Sequence, residues 1–295
     1  EGLLDALPRR ASLTLPELRL VAEHAGGAPL PFDLTEPGEA SAIEDRLGQS
    51  PGTTEDQAYT TTVDSLHDPM TSLTRRGLVV DGAVDDGLLG AVGLLATPTL
   101  ALDLDLAAGA IQAKAWHRQA GQAVATLATV DGIVFELAWF STAQWPAELA
   151  RVAVVPEDLV LHKSSVPPHV DLPYELADAA AEAVRASRSD LVSVLSAQHS
   201  GQTLDGTGRA IPEAEVVGLL SALSAETQGR LRALVADVST ESTTVVGVVS
   251  WVLLADGWHA VRPYDVDGEM RVEVRKVLTA DLGAELAPVL AEVSS

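Results

Sequence analysis

The 295-residue sequence predicts an α+β protein with a quasi-twofold internal duplication, in which antiparallel β meanders are covered by helices. Two observations predict it. Apolar residues recur at helical spacing up to Pro98, then alternate strictly from Leu100 onward, the change from a helical to a strand period. Short matches also recur in one order: Leu15-Pro16 and Leu172-Pro173, Val92-Gly93-Leu94-Leu95 and Val217-Gly218-Leu219-Leu220, Trp116 and Trp251, Asp131-Gly132 and Asp267-Gly268. Two copies of one αβ unit place residues 12–165 in a first half and 166–295 in a second, joined as one body. The chain opens on Glu1 without Met, and residues 1–11 are expected to be flexible or a truncated terminus.

The elements follow in order. Thr14 as N-cap and Pro16 in the first turn open a helix to His24, which Gly26-Gly27 stops. Leu30 to Leu34 reads as a short edge strand, where Pro is tolerated. Thr35 to Gln57 is acidic, rich in Gly, Pro and Ser, has no counterpart in the second half, and reads as an inserted loop or loose helix. Val63, Leu66, Met70 and Leu73 mark a helix from Val63 to Arg76. Leu88, Leu89, Val92 and Leu95 mark another from Asp86 to Ala96. Leu100, Leu102, Leu104 and Leu106 alternate with Ala101, Asp103 and Asp105, a half-buried strand with one wet face. Strands follow at Ile111–Trp116, Val124–Val130 and Ile133–Phe140, the last two across Asp131-Gly132, a two-residue hairpin signal. A helix runs from Trp145 to Val152.

In the second half, helices are predicted over Pro173–Arg185, Asp190–Gln198 and Pro212–Leu223, with Gly201–Arg209 as a flexible loop. Arg230–Val238 suits a helix by itself but is assigned to a strand by its place in the repeat. Strands at Val245–Leu254, Trp258–Tyr264 and Met270–Val274, turning at Asp256-Gly257 and Asp267-Gly268, precede a last helix over Ala280–Glu292.

Composition narrows the function. Hydrophobic residues are 47% of the chain and aromatics 4%, so Ala, Val and Leu must build the core. The net charge of −23 repels nucleic acids and anionic membranes. There are no cysteines, which rules out disulfides, thiolate catalysis and cysteine-ligated zinc in this sequence. No signal peptide is evident, and the longest apolar stretch, Val245 to Ala255, is too short to span a bilayer as a helix. A cytoplasmic protein is expected.

Candidate chemistry has a plainer explanation at each position. Asp265, Asp267 and Glu269 lack the remaining ligands of a calcium loop, and Asp267-Gly268 suits a hairpin. Asp81, Asp85 and Asp86 suit capping of the Asp86 helix. Asp64, Ser65, His67 and Asp68 hold the ingredients of a triad within one helical turn, whereas serine triads recruit partners distant in sequence. His162 and His169 lie in a Pro-containing segment and read as exposed linker residues. Asp103 and Asp105 share one strand face, where paired carboxylates could do acid–base work, but a solvated face is simpler. Gly206-x-Gly208 follows no strand and lacks a third glycine. Trp116 and Trp251 read as core residues, with a binding anchor as the alternative. No catalytic, cofactor or metal residue is assigned.

The order of motifs resembles one family. Leu13-Thr14-Leu15-Pro16-Glu17-Leu18, then Arg75-Arg76-Gly77-Leu78-Val79, Asp81-Gly82, Val84-Asp85 with its Leu-rich helix, the alternating strand after Pro98, and Val249-Ser250-Trp251 leading to Asp256-Gly257-Trp258-His259-Ala260-Val261 are similar to EspG, the ESX (type VII) secretion-associated proteins. That resemblance implies a C-terminal helical bundle and a non-enzymatic cytosolic chaperone, without cofactor, that binds PE–PPE heterodimers, caps the hydrophobic tip of the PPE protein and keeps it soluble for export. It implies partner contacts at the loop of Leu106, Ala107, Ala108, Gly109 and Ile111, and on the bundle at Leu191, Leu195, Val216, Leu219 and Leu223. A carboxylate- or metal-dependent hydrolase and a non-catalytic homodimeric scaffold stay open as alternatives.

Overall fold

The computed structural model describes residues 7–32, 68–240 and 242–293. Among the described residues the strands form a large antiparallel sheet and a separate two-stranded hairpin. The described residues divide into two compact units, one drawn from 1–103, 113–145 and 235–246, the other from 104–112, 146–234 and 247–295. The strands β4 (Leu100–Ala108) and β10 (Gly229–Asp237) have residues in both.

In the first unit, β1 (Arg9–Thr14) pairs antiparallel with β7 (Val134–Ser141), β7 with β6 (Ala123–Thr129), and β6 with β5 (Ile111–Ala120). Arg9 to Ala11, expected to be flexible, are thus part of a strand. It was invisible to periodicity because only Ala11 and Leu13 of its six residues face the core. They meet Leu127, Phe135 and Leu137 of the meander in one cluster. Over this face lie α1 (Leu15–His24), through Leu18 and Val21, and α3 (Asp86–Ala96), through Leu88, Ala91, Val92 and Leu95.

Three helix starts in this unit are fixed by side-chain caps. The Thr14 hydroxyl accepts from the Glu17 N–H while the Glu17 carboxylate takes the Thr14 N–H at 2.9 Å, a reciprocal capping box. Asp68 caps α2 (Pro69–Arg75), and Asp85 caps α3. Asp81 and Gly82, both at positive φ, instead turn the small hairpin of β2 (Val79–Val80) and β3 (Ala83–Val84). Leu30 to Phe32 do not form the expected edge strand. Leu30 is buried and the Phe32 ring packs between Trp116 and Phe135, with centroids 5.7 and 5.5 Å away. The rest of that strand, the Thr35–Gln57 insertion, the first turns of the Val63 helix, and Asp64, Ser65 and His67 lie outside the described residues.

The Asp131-Gly132 hairpin is longer than two residues. Asp131 Oδ1 accepts the N–H groups of Ile133 and Val134, and the Thr129 hydroxyl accepts that of Gly132. Side-chain oxygens there replace the backbone pairing of a tight turn. The turn between β12 (Gly257–Val266) and β13 (Glu269–Lys276) does have two residues, Asp267 and Gly268, both at positive φ as a type I′ turn requires.

In the second unit, β11 (Thr244–Leu254) pairs with β12, β12 with β13, β13 with β8 (His169–Pro173), and β8 with the two-residue β9 (Leu204–Asp205). His169 is therefore the first residue of a strand, its Nε2 lying 3.0 Å from Glu273 Oε1, and not a linker residue. Gly201 to Arg209 is held by Asp205, whose carboxylate accepts from the N–H groups of Thr207 and Arg209. Val170, Leu172, Val272 and Val274 are covered by α5 (Tyr174–Arg185), α6 (Asp190–Gln198) and α7 (Glu213–Ala225). Residues of opposite parity are charged: Arg271 binds Asp171, and Arg262 and Arg275 both reach Glu285 of α8 (Leu282–Val293). Such parity is why one face packs under helices while the other carries ion pairs. The helix α4 (Trp145–Val152) begins just after a 3₁₀ turn.

Candidate partner-binding surface

The residues with potential chemistry are used structurally. Asp265 accepts the Gly268 N–H within its turn. Asp103 pairs with Arg118 at 2.5 Å. His117 is fully buried, with Trp145 Nε1–H donating to its Nδ1 at 2.9 Å. Desolvation, then the neighbouring Arg118 charge, pushes its pKa down to about 3. Burial likewise lowers the pKa of His259, against weaker opposing effects of the Gly257 carbonyl and Asp256. Neither histidine reaches solvent. Among the described residues no group of three or more His, Asp or Glu side chains is placed to hold a metal ion, and no helix is long and apolar enough to cross a membrane.

Two grooves indent the second unit. The larger, about 710 Å³, runs beside α7 between Ser165–Pro167 and Arg209–Pro212. Asp205 on its wall is already engaged: it holds Thr207 and Arg209, and these bonds, the Thr207 hydroxyl first, keep its carboxyl well below the usual range. The smaller, about 360 Å³, lies between α5 and α6. Ala179, Ala183 and Ala186 line one wall and Leu191, Val194 and Leu195 the other. Its formation follows from sequence. Ala179, Ala183 and Ala186 recur on one helical face, and their missing bulk leaves a furrow that α6 borders with branched side chains. Val194 is 53% exposed and Leu191 37%. The rim charges are mutually paired, Arg185 with Glu182 and Arg188 with Asp190 at 2.9 Å. The groove therefore offers apolar area within a neutralised rim, the character of a protein-docking site.

The residues singled out by resemblance divide sharply. Leu191 and Leu195 line this groove. Val216 and Leu219 are buried in the helix-covered core, where Leu219 also lines the larger groove, and Leu223 packs against that core. In the β4–β5 hairpin Leu106 and Ala108 are buried, Ile111 is half-buried, and Ala107 and Gly109 are exposed. The hairpin tip is held firmly: the Gly109 N–H donates to Gln228 O at 3.0 Å. A Cβ at Gly229 would stand 2.6 Å from Ala107 O. Val194 and the alanine wall of α5 were missed in sequence, although their helical spacing was a usable signal.

No family model matches the chain, and no curated protein matches it in sequence. The structure is similar to that of the Mycobacterium tuberculosis type VII secretion system chaperone EspG5, solved in complex with a PE25-PPE41 dimer, with a TM-score of 0.62 over 96% of each chain and 14% sequence identity. At that identity the likeness establishes the fold: α+β with a large antiparallel sheet, as in EspG5.

Proposed function

We propose that this protein is a non-enzymatic, cytoplasmic chaperone of the EspG kind, which binds a PE–PPE heterodimer through the hydrophobic tip of the PPE protein and keeps it soluble for export by a type VII system. The observation that carries this reading is the shared fold over 96% of both chains, and the apolar groove between α5 and α6 supports it. An apolar helical tip laid into that groove is helix-in-groove recognition, with Leu191, Val194 and Leu195 as contacts and the exposed hairpin residues Ala107 and Gly109 as a further contact. Supporting the proposed internal duplication, with halves at 12–165 and 166–295, is the shared pairing pattern: β1-β7-β6-β5 matches β8-β13-β12-β11. The repeated Val-Gly-Leu-Leu lies in the corresponding helices α3 and α7.

The test is co-expression with PE–PPE pairs encoded near its gene, followed by co-purification. A stoichiometric complex is expected, and Val194→Asp should weaken it at least tenfold without changing the circular dichroism spectrum. Failure to recover a complex with any such pair would refute the proposal.

A further inference from the structure

The sequence holds six Asp-Gly pairs, beginning at Asp81, Asp86, Asp131, Asp205, Asp256 and Asp267, and no asparagine. An Asp-Gly pair can rearrange without an enzyme. The glycine nitrogen attacks the preceding side-chain carboxyl, because no side chain shields it and its backbone turns freely. A folded chain prevents this by holding the glycine N–H in a hydrogen bond, or by holding the carboxylate away from it. All six pairs lie among the described residues.

Five of the six are guarded. The Gly132 N–H donates to the Thr129 hydroxyl at 2.9 Å, while Asp131 Oδ1 takes the N–H groups of Ile133 and Val134. The Gly268 N–H donates to Asp265 Oδ1 at 3.0 Å. The Asp205 carboxylate is tied to Thr207 and Arg209, which also keeps it ionised, the unreactive form. Asp256 Oδ2 accepts from Lys276 Nζ at 2.7 Å, and Gly257 is buried in β12. Asp86 and Gly87 form the first turn of α3, where a Cβ on Gly87 would meet Arg9, Asp85 and Trp139 at 2.9 Å. Helical dihedrals and crowding hold that amide in place.

Asp81-Gly82 has no such guard. Both residues are exposed, and space around Gly82 is open. Neither the Asp81 carboxylate nor the Gly82 N–H has a hydrogen-bond partner among the described residues. The β2–β3 hairpin that they turn has two residue pairs, of which Val80 with Ala83 is the outer. Val80 is 62% exposed, so this end opens at small cost. Asp267-Gly268, by contrast, closes a ladder of eight pairs.

We propose that Asp81 is the site at which this protein isomerises spontaneously, its main chain rerouted through the side-chain carboxyl as isoaspartate. Gly82 N bonds to Asp81 Cγ, and the neutral carboxyl loses its hydroxyl as water together with the amide proton. The product is a five-membered succinimide. Water then adds to the main-chain carbonyl of Asp81 and breaks its bond to Gly82 N. That leaves a free α-carboxylate and a main chain longer by one carbon. One water leaves and one returns, so no other reagent is needed. The added carbon does not fit a two-residue turn, whose twist and register are set by its length. It shifts Val79 against Val84, although both are buried in the cluster shared with α1 and α3.

Ageing the full chain at pH 7.4 and about 37 °C for several weeks tests this. Tryptic peptides are read by electron-transfer fragmentation, which cleaves isoaspartate at a bond that aspartate keeps and so separates Asp81 from Asp86. Isoaspartate is expected at Asp81 at least about fivefold faster than at any other pair, the factor set by one guarding hydrogen bond. In guanidinium chloride the six rates should converge to within about threefold, because no guard survives unfolding. Asp265→Ala frees the Gly268 N–H and should raise the rate at Asp267 about fivefold. The isomerised fraction should melt at a lower temperature than the fresh protein. Asp81→Glu, whose longer side chain would need a six-membered ring, should keep its melting temperature through the same ageing. Another pair leading in the folded chain, an Asp267 rate indifferent to Asp265→Ala, or an aged Asp81→Glu variant that melts as low as the aged parent would each overturn the proposal. None of these readouts depends on whether a PE–PPE pair binds.

Discussion

His117 should make this protein lose stability on mild acidification, well above the pH at which its carboxylates protonate. The imidazole is enclosed, its Nδ1 accepts from Trp145 Nε1–H, and its pKa is about 3, against about 6.5 in an unfolded chain. Protonation would set an Nδ1–H against the indole N–H, two donors without an acceptor. Above pH 6.5 both states hold neutral imidazole and nothing is lost. Below it the unfolded chain takes up a proton that the folded one refuses, so stability falls by up to about 1.4 kcal/mol per pH unit until about pH 3. Between pH 7 and pH 5 that amounts to about 2 kcal/mol. The assay is urea unfolding at pH 7, 6 and 5 of the parent and of His117→Gln, whose amide oxygen can accept from Trp145 but does not titrate. The difference between their pH slopes isolates His117, because His259 and the relief of overall charge repulsion act on both proteins. Equal slopes, or an NMR titration of the His117 ring with a midpoint near 6.5, would refute the reasoning.

Three further outcomes follow from the packing. Glu17 is buried, yet bonds from Ser72, the Thr14 N–H and Arg76 outweigh the upward push of burial and leave its pKa lowered. Glu17→Gln should therefore cost about 1–3 kcal/mol near neutral pH, and the parent's advantage should shrink as pH falls through the carboxyl pKa, read by chemical denaturation. Gly229→Ala should destabilise more than Gly247→Ala, because the new Cβ meets backbone, Ala107 O at 2.6 Å, in the first case and the side chain of Val289 at 2.7 Å in the second; differential scanning calorimetry of the two variants decides it. Gly268→Ala, at φ +86 with open space around it, should cost about 1 kcal/mol through backbone strain alone, whereas Gly218→Ala in α7, also in open space and without positive φ, should be neutral or slightly stabilising, again by calorimetry.

Sequence alone was enough for the elements whose signal is local. The Leu100–Leu106 alternation, the caps at Thr14 and Asp85, and the glycine turn at Asp267-Gly268 each act within a few residues, so periodicity and cap chemistry locate them. Arg230–Val238 shows the limit of that information. Its spacing suits a helix, and it forms β10 because tertiary pairing overrides a weak local preference. The repeat order anticipated that outcome where propensity could not.

Tertiary structure decided which apolar side chains are core and which are surface. Val216, Leu219, Leu191 and Leu195 look alike in sequence, but the first two lie in the helix-covered core and the last two line a groove, a difference set by how α5, α6 and α7 pack on β8 and β13. The strands β1 and β8 likewise emerge only through partners a hundred or more residues away, Leu13 with Phe135 and Leu172 with Val272. Amino-acid order records what neighbouring residues prefer. Burial and pairing are settled by distant segments competing for the same apolar surface, and no local pattern contains that result.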